Sequence, residues 1–339
     1  MKKRVTSSDV AKEAGVSRAT VSYILNNTEG SRISRETRQK VIKAAKKLGY
    51  HMDINAQAMK TNRSMSIGVV SRRRISESRF TNILGGIKEV LSQKKYSILL
   101  CSDEVDEMGI PEYYRLYRSK KIDGIIFISY QEQIVIEQAD ERADRMLKEQ
   151  IPCVFADYHL KNPIINCVDI NYFHGAYIAT KHLLDKGYKR VAFLVPDLDT
   201  EQERQRICGV EKAVEEAINA SLTVNKVAME NGGVSKEIIN VLESKEEFDS
   251  IILAWTSMAA AALYQANRLK IRVPEEIAVI SLAYENAAQY TFPHLTGCGL
   301  PLFEIGQKSA EILIEQINGN NDMPVTIALP CRLKIGESC

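Results

Sequence analysis

Arg18 carries the plainest recognition chemistry in this chain. It follows Ser17, a helix-capping residue type, and precedes Ala19, Thr20, Val21, Ser22 and Tyr23. A guanidinium near the start of a helix can grip guanine O6 and N7 through two parallel hydrogen bonds, contributing roughly 1–3 kcal/mol of base discrimination, or contact a phosphate instead. Ala19 offers a methyl group, suited to thymine. The polar groups of Thr6, Thr20, Ser22 and Asn26 suit phosphate oxygens or helix caps, which hold a helix in place without carrying sequence information. Arg32 and Arg35 extend that phosphate footprint, and a set of such contacts implies steep salt dependence.

These side chains need two short helices and a tight turn to hold them. VTSSDVAKEAGVSRATVSYILN, from Val5 to Asn26, has that pattern. Thr6 caps the first helix, with Asp9 at capping-box spacing. Val10, Ala11 and Ala14 share one face, and Gly15 supplies the stop. Ser17 caps the second helix, whose Val21, Ile24 and Leu25 point back at the first. A third helix, capped by Ser34, runs through RETRQKVIKAAKKLGY to Gly49, with Val41, Ala44, Ala45 and Leu48 inside. The spacing predicts a helix-turn-helix whose second helix can enter a DNA major groove. An ordinary helical hairpin has the same spacing, and composition weighs against it.

The chain of 339 residues has a formal net charge of only +2. Residues 1–64, however, hold fourteen Lys or Arg against five Asp or Glu, so they carry +9 and the remainder −7. A basic head on a mildly acidic body implies a polyanionic partner for the head. The seven cysteines include no CxxC pair, which argues against a disulfide framework or a zinc site and fits a reducing cytosol. MKKRVTSS lacks the apolar segment of a signal peptide, and no run reaches transmembrane length. The expected location is the cytoplasm, with no membrane association.

HMDINAQAMKTNRS, polar and marginally helical, is a linker. From Met65 the pattern becomes alternating strands and helices. SIGVV, YSILLCS, DGIIFIS, IPCVFAD, KRVAFLV, FDSIILAW and EIAVISLA are β-branched runs, followed by a late strand near VTIALP. Amphipathic helices lie between them, so parallel sheets with right-handed crossovers are expected. Seven strands and a late one suggest two doubly wound subdomains with a ligand crevice outside the strands' carboxyl ends. The expected fold is thus an all-α headpiece joined to an α/β core of two parallel-sheet subdomains. No GxGxxG after a strand, Walker loop, GxSxG elbow or HExxH occurs, and the five histidines are dispersed. No catalytic residue, metal or cofactor is expected.

SSDVAKEAGVSRATVSYILN, ETRQKVIKAAKKLGY and the IGVV strand resemble the lactose-repressor/galactose-repressor family of transcription regulators. The resemblance continues through KIDGIIF, IPCVFAD, VDINYFHGAYIATKHL, GYKRVAFL, RVPEEIAVIS and the PHLT segment, in family order. It implies a homodimer on a pseudo-palindromic double-stranded DNA operator, and a core similar to periplasmic binding proteins with an effector in its cleft. It divides the chain into a headpiece at 1–50, a hinge at 51–64 and a core at 65–339. Within the core, one subdomain spans about 65–168 and 297–328, the other about 169–296 and 329–339. The family's base-reading positions fall on Arg18, Ala19 and Tyr23. Tyr23 stands where arginine is usual, so the operator departs from the commonest half-site. Asn55, Ala56, Gln57, Ala58 and Met59 align with a minor-groove hinge helix in which Met59 replaces a leucine wedge.

The same resemblance implies effector contacts from Asp157, Asn171 and Arg204, which are retained; by residue type they can equally be a strand-end cap, a turn residue and a surface arginine. Other cleft positions have changed. Thr256-Ser257 follows Trp255 where Asn-Asp is usual, Ala283 replaces an aspartate, and Leu300 a polar residue. After the first strand come Arg72, Arg73 and Arg74, then Arg79 in place of an aromatic, with Phe80 kept. The expected effector set is Arg72, Phe80, Asp157, Asn171, Arg204, Trp255, Thr256 and Ala283. Four arginines near the cleft mouth would suit an anionic effector, or form a solvent-exposed loop or a protein-docking edge. The expected function is a DNA-binding transcriptional repressor controlled by a small molecule. A solute-binding transport protein would share the core, but the basic headpiece and the missing signal segment discriminate against it.

Overall fold

A computed structural model describes residues 5–25, 33–50, 63–71, 77–128, 134–158, 165–228, 236–244, 246–320 and 323–339. The chain divides into two compact units, Met1–Ser64 and Met65–Cys339. In the first unit, α1 (Ser7–Ala14), α2 (Arg18–Leu25) and α3 (Arg35–Leu48) pack around Val10, Ala11, Val21, Ile24, Val41, Ala44 and Ala45. Thr6 and Asp9 form a complete capping box, and Ser34 accepts the Thr37 N–H. Gly15 and Gly49 adopt left-handed backbone at φ 67° and 63°, ending α1 and α3 at the expected residues.

The second unit contains two six-stranded sheets. The first comprises β1 (Ser66–Val70), β2 (Ser97–Cys101), β3 (Gly124–Ile128), β4 (Cys153–Ala156), β5 (Asn166–Asn171) and β11 (Thr326–Pro330). Its order is β11-β5-β4-β3-β1-β2, parallel throughout. The second comprises β6 (Arg190–Pro196), β7 (Ser221–Val227), β8 (Ser250–Leu253), β9 (Ala278–Ser281), β10 (Thr296–Gly299) and β12 (Arg332–Lys334). Its order is β12-β10-β9-β8-β6-β7, with β12 antiparallel to β10. Central strands such as β3, β4, β8 and β9 are buried along their whole length, as strands covered by helices on both faces must be.

The strand pattern in the sequence undercounts these sheets. β7, SLTVNKV, is a mostly exposed edge strand carrying Asn and Lys. β10 is TGCG, and β12 has three residues. None of the three, nor β5 (NCVDIN), makes the β-branched run that signals a buried strand, yet each pairs with a neighbouring strand.

Helices cover the sheets: α4 (Ser78–Gln93), α5 (Glu112–Arg118), α6 (Ile134–Lys148), α7 (Tyr172–Asp185), α8 (Glu201–Glu215), α9 (Lys236–Glu243), α10 (Thr256–Arg268) and α11 (Leu302–Ile317), with a 3₁₀ turn at Asn286–Tyr290. The chain passes between the sheets three times, at Asn171–Tyr172, between Gly299 and Leu302, and at Cys331. These crossings fall slightly later than the subdomain limits expected from the sequence.

In the first lobe α4 and α11 touch backbone to backbone. A Cβ on Gly86 would lie 2.0 Å from the Phe303 carbonyl oxygen, and one on Gly306 2.0 Å from that of Ile83. Six of the seven cysteines are buried and Cys208 is exposed. Burial pushes the Cys101 thiol up to about 12 and that of Cys331 to about 11, and raises Cys153 and Cys298 still further.

Gly306→Ala should therefore force the two helices apart, lowering stability in urea denaturation by about 1–3 kcal/mol or more. Native alkylation by iodoacetamide at pH 8 should modify Cys208 alone, with the other thiols reacting only after unfolding.

Candidate DNA-reading face and ligand cleft

α2 presents its reading face because its other face is committed to the headpiece core. Val21 and Ile24 are buried, whereas Ser17, Arg18, Ala19 and Tyr23 are exposed. Ser17 Oγ accepts the Thr20 N–H at 3.0 Å and bonds the Thr20 hydroxyl at 2.9 Å, which fixes the first turn. Arg18 Nε donates to Ser7 Oγ at 3.1 Å, bringing together the first residues of α1 and α2. The guanidinium thus lies beside two helix N-termini, where backbone N–H groups and helix dipoles favour anions. Arg35, exposed at the start of α3, adds another cation to the headpiece.

Several hydroxyls expected at the DNA are engaged locally. Thr6 donates to Asp9 Oδ2 at 2.7 Å and accepts the Asp9 N–H, and Thr20 is tied to Ser17. Ser22 is half-buried. Asn26, Arg32, Asn55, Ala56, Gln57 and Met59 lie outside the described residues.

In the core, a buried polar chain runs from the carboxyl end of β4 through α7 to α8. Asp157 follows β4 in left-handed backbone, φ 60°, a conformation that Asp tolerates better than most residues. Arg79, in the first turn of α4, grips it with both nitrogens of its fork, Nε to Oδ2 at 2.6 Å and Nη2 to Oδ1 at 2.7 Å. Tyr172, the first residue of α7, donates its hydroxyl to the same Oδ1 at 2.8 Å, and Arg79 also donates to the Tyr172 hydroxyl. On the tyrosine face lies the Arg206 guanidinium, 4.8 Å from the ring centroid. Arg206 Nη1 donates to Glu203 Oε1 at 2.6 Å, and the Trp255 indole N–H reaches the same oxygen at 3.2 Å.

Arg79, Asp157, Tyr172, Glu203 and Arg206 are all buried. Burial opposes the charge on Arg79, but the Asp157 carboxylate and Tyr172 outweigh it and hold the guanidinium well above its ordinary range. Burial pushes the Tyr172 phenol well above its usual value, so it stays protonated and donates. Two buried atoms of this polar chain, Arg206 Nε and Glu203 Oε2, have no hydrogen-bond partner among the described residues. A second tie runs from Ser78 Oγ to Glu285 Oε2 at 2.7 Å, joining α4 to the loop after β9.

These positions correct several sequence expectations. Arg204 is exposed and paired with Asp199 and Glu201, whereas the buried arginine is Arg206. The helical spacing carries that signal, because Glu203, Arg206, Val210 and Ala213 form the buried stripe of α8. Arg79 is a buried partner of Asp157 and not a loop cation, while Arg72 lies outside the described residues. Asn171 caps α7 by accepting the His174 N–H at 2.8 Å. Phe80 is packed in the core, 2 % exposed. Thr256 donates to the Ala283 carbonyl at 2.9 Å and accepts the Glu285 N–H, and Ala283 is buried beside it. Trp255 is partly buried at the N-cap of α10. The sequence reading missed Ser78, Tyr172, Glu203, Arg206 and Glu285.

A cavity of about 340 Å³ is lined by residues including Asn82, Tyr284, Glu285, Leu302, Arg332 and Lys334. None of the described residues expected to contact an effector lines it. Among the described residues no three His, Cys, Asp or Glu side chains converge as metal ligands, and no helix is long and apolar enough to cross a membrane.

The model for bacterial regulatory proteins of the lacI family matches residues 6–53, and that for a periplasmic binding protein-like domain matches residues 180–339. The chain is 30% identical to the HTH-type transcriptional regulator DegA of Bacillus subtilis, over 99% of this chain and 98% of that protein. It is 29% identical to the HTH-type transcriptional repressor PurR of Haemophilus influenzae, over 94% and 92%. A lac repressor dimer bound to operator and the anti-inducer ONPF superposes with a TM-score of 0.77 at 22% identity, covering 99% of each chain. A complex of the transcriptional regulator CelR with cellobiose gives 0.65 at 24%, covering 99% of this chain and 100% of the other.

Arg206→Met should strand Glu203 as a buried unpaired carboxylate and lower core stability by about 3–5 kcal/mol in chemical denaturation. Adding Glu203→Gln should recover much of that loss.

Proposed function

This chain belongs to the lacI family of bacterial regulatory proteins, and from that membership we propose that it represses transcription as a homodimer on a pseudo-palindromic operator, under control of a small molecule bound in the core cleft. It is a helix-turn-helix DNA-binding regulator. The observation that carries the reading is the exposed Ser17-Arg18-Ala19 corner with Tyr23, set on a capped helix in a segment of charge +9. Arg18, Ala19 and Tyr23 face the bases. Ser17, Thr20, Ser22, Arg35 and the Thr6 turn hold the helix against the phosphates, together with Asn26 and Arg32. The role proposed for Asn55, Ala56, Gln57 and Met59, in the 51–64 segment, is contact with the minor groove. The protein works where the DNA is, in the cytoplasm, and no catalytic role is assigned to it.

Apolar surface in the core supports a dimer. Leu99 and Leu100 are 38% and 48% exposed on the edge strand β2, and Tyr290 and Phe292 are each 83% exposed. An unpaired edge bearing leucines is a liability that a second copy removes. The effector is set by the altered cleft. Thr256 and Ala283 satisfy each other, so positions that would hold sugar hydroxyls offer none, and an ordinary neutral sugar is a poor fit.

In vitro selection with the full chain should yield a two-fold symmetric site, bound with steep salt dependence. Arg18→Ala should cost about 1–3 kcal/mol and relax preference at one base pair of each half-site. Removing residues 1–64 should abolish binding while leaving a folded dimer by light scattering. A truncated core that binds the selected site like the full chain would overturn this function.

A further inference from the structure

Asp157 follows β4 at the carboxyl end of the strand, where the proposed function puts an effector contact, yet both of its carboxylate oxygens are already taken. A guanidinium fork and a phenol hydroxyl supply three hydrogen bonds between 2.6 and 2.8 Å. Both donors come from the chain itself. We propose that Arg79 is a resident ligand: its guanidinium occupies the Asp157 site and holds the two lobes closed on each other, so that external molecules act on this regulator by displacing an occupant.

The geometry gives the arginine two lobes to hold. Arg79 and Asp157 belong to the first lobe. Tyr172 begins α7, just beyond the first crossing, and its ring carries Arg206 of the second lobe. The neighbouring Ser78 reaches Glu285 of the second lobe at 2.7 Å. One helical turn therefore ties both lobes, through the hydroxyl of Ser78 and the guanidinium of Arg79. The pair is closed to water, with side-chain exposures of 7% and 0%. A guanidinium leaving this place must be replaced by another donor, because an unpaired buried carboxylate is strongly unfavourable. Arg79 thereby excludes neutral molecules that cannot compete for either charge. The inference rests on the cleft being the regulatory site of the proposed function.

The single tryptophan provides the readout. Trp255 stands at the cleft end of β8 and is bonded to the same polar chain through Glu203. In the full chain without DNA, wild-type Trp255 should be shielded from acrylamide. Arg79→Ala should raise the quenching constant about twofold or more. Added ethylguanidinium should refill the hole and restore the shielding, whereas ethylammonium, of equal charge but without the planar fork, should not. Arg79→Met combined with Asp157→Asn removes both charges while keeping volume and a residue type suited to the left-handed backbone, so it should fold and show the same opening should the single variant fail to fold.

A wild-type Trp255 as open to quencher as the free indole would overturn the proposal. So would a folded variant as shielded as wild type, or rescue that is equal for the two cations. None of these readings involves DNA. Their failure would leave the regulator function standing, whereas loss of that function would show in the selection experiment alone.

Discussion

A carboxylate and a guanidinium withdrawn together from water constrain everything near them, because each is tolerable only while the other stays in place. Arg79 and Asp157 are such a pair, and the main features of the cleft follow from keeping it intact. β4 must end in left-handed backbone so that Asp157 turns toward α4. α4 must begin where Arg79 can reach it with both nitrogens. Tyr172 must keep its proton, since a phenolate beside Asp157 would add a second buried negative charge. Arg206 then finds a ring face for its cation, and Glu203 balances that cation. The order runs from one ion pair outward to the tryptophan.

The headpiece obeys a different economy. Its interior is small, made of valines, alanines and one isoleucine, and a core of that size cannot hold three helices by burial alone. Local hydrogen bonds make up the difference: the Thr6–Asp9 box, the Ser17 and Ser34 caps, and the two left-handed glycines. The same caps orient the backbone N–H groups and fix the Arg18 corner. Stability and recognition are therefore built from the same few residues at the helix ends.

This contrast explains what could be read from the sequence and what could not. Caps and glycine stops are short-range rules, so Thr6, Gly15, Ser34 and Gly49 declared the headpiece residue by residue. Long β-branched runs declared β1, β2, β3, β4, β6, β8, β9 and β11. Four strands failed: the edges β7 and β12 take their place from a neighbour, and the inner β5 and β10, with their Asn, Asp, Gly and Cys, make no β-branched run. The cleft failed at particular residues for a physical reason. Arg204 and Arg206 are two positions apart on a helix, hence on nearly opposite faces, and only the stripe shared with Val210 and Ala213 separates them. Arg79 looked like one more loop cation. Nothing local marks an arginine that will be buried, because its partner lies seventy-eight residues away.

The three passages between the sheets have a mechanical meaning. At the first, β5 gives way to α7 with no residue between them; at the third, Cys331 alone separates β11 from β12. Tethers this short, lying side by side, leave little slack for sliding one lobe along the other. What they permit is rotation about the line they define. The core then has essentially one degree of freedom, and whatever occupies the cleft is reported as a single angle.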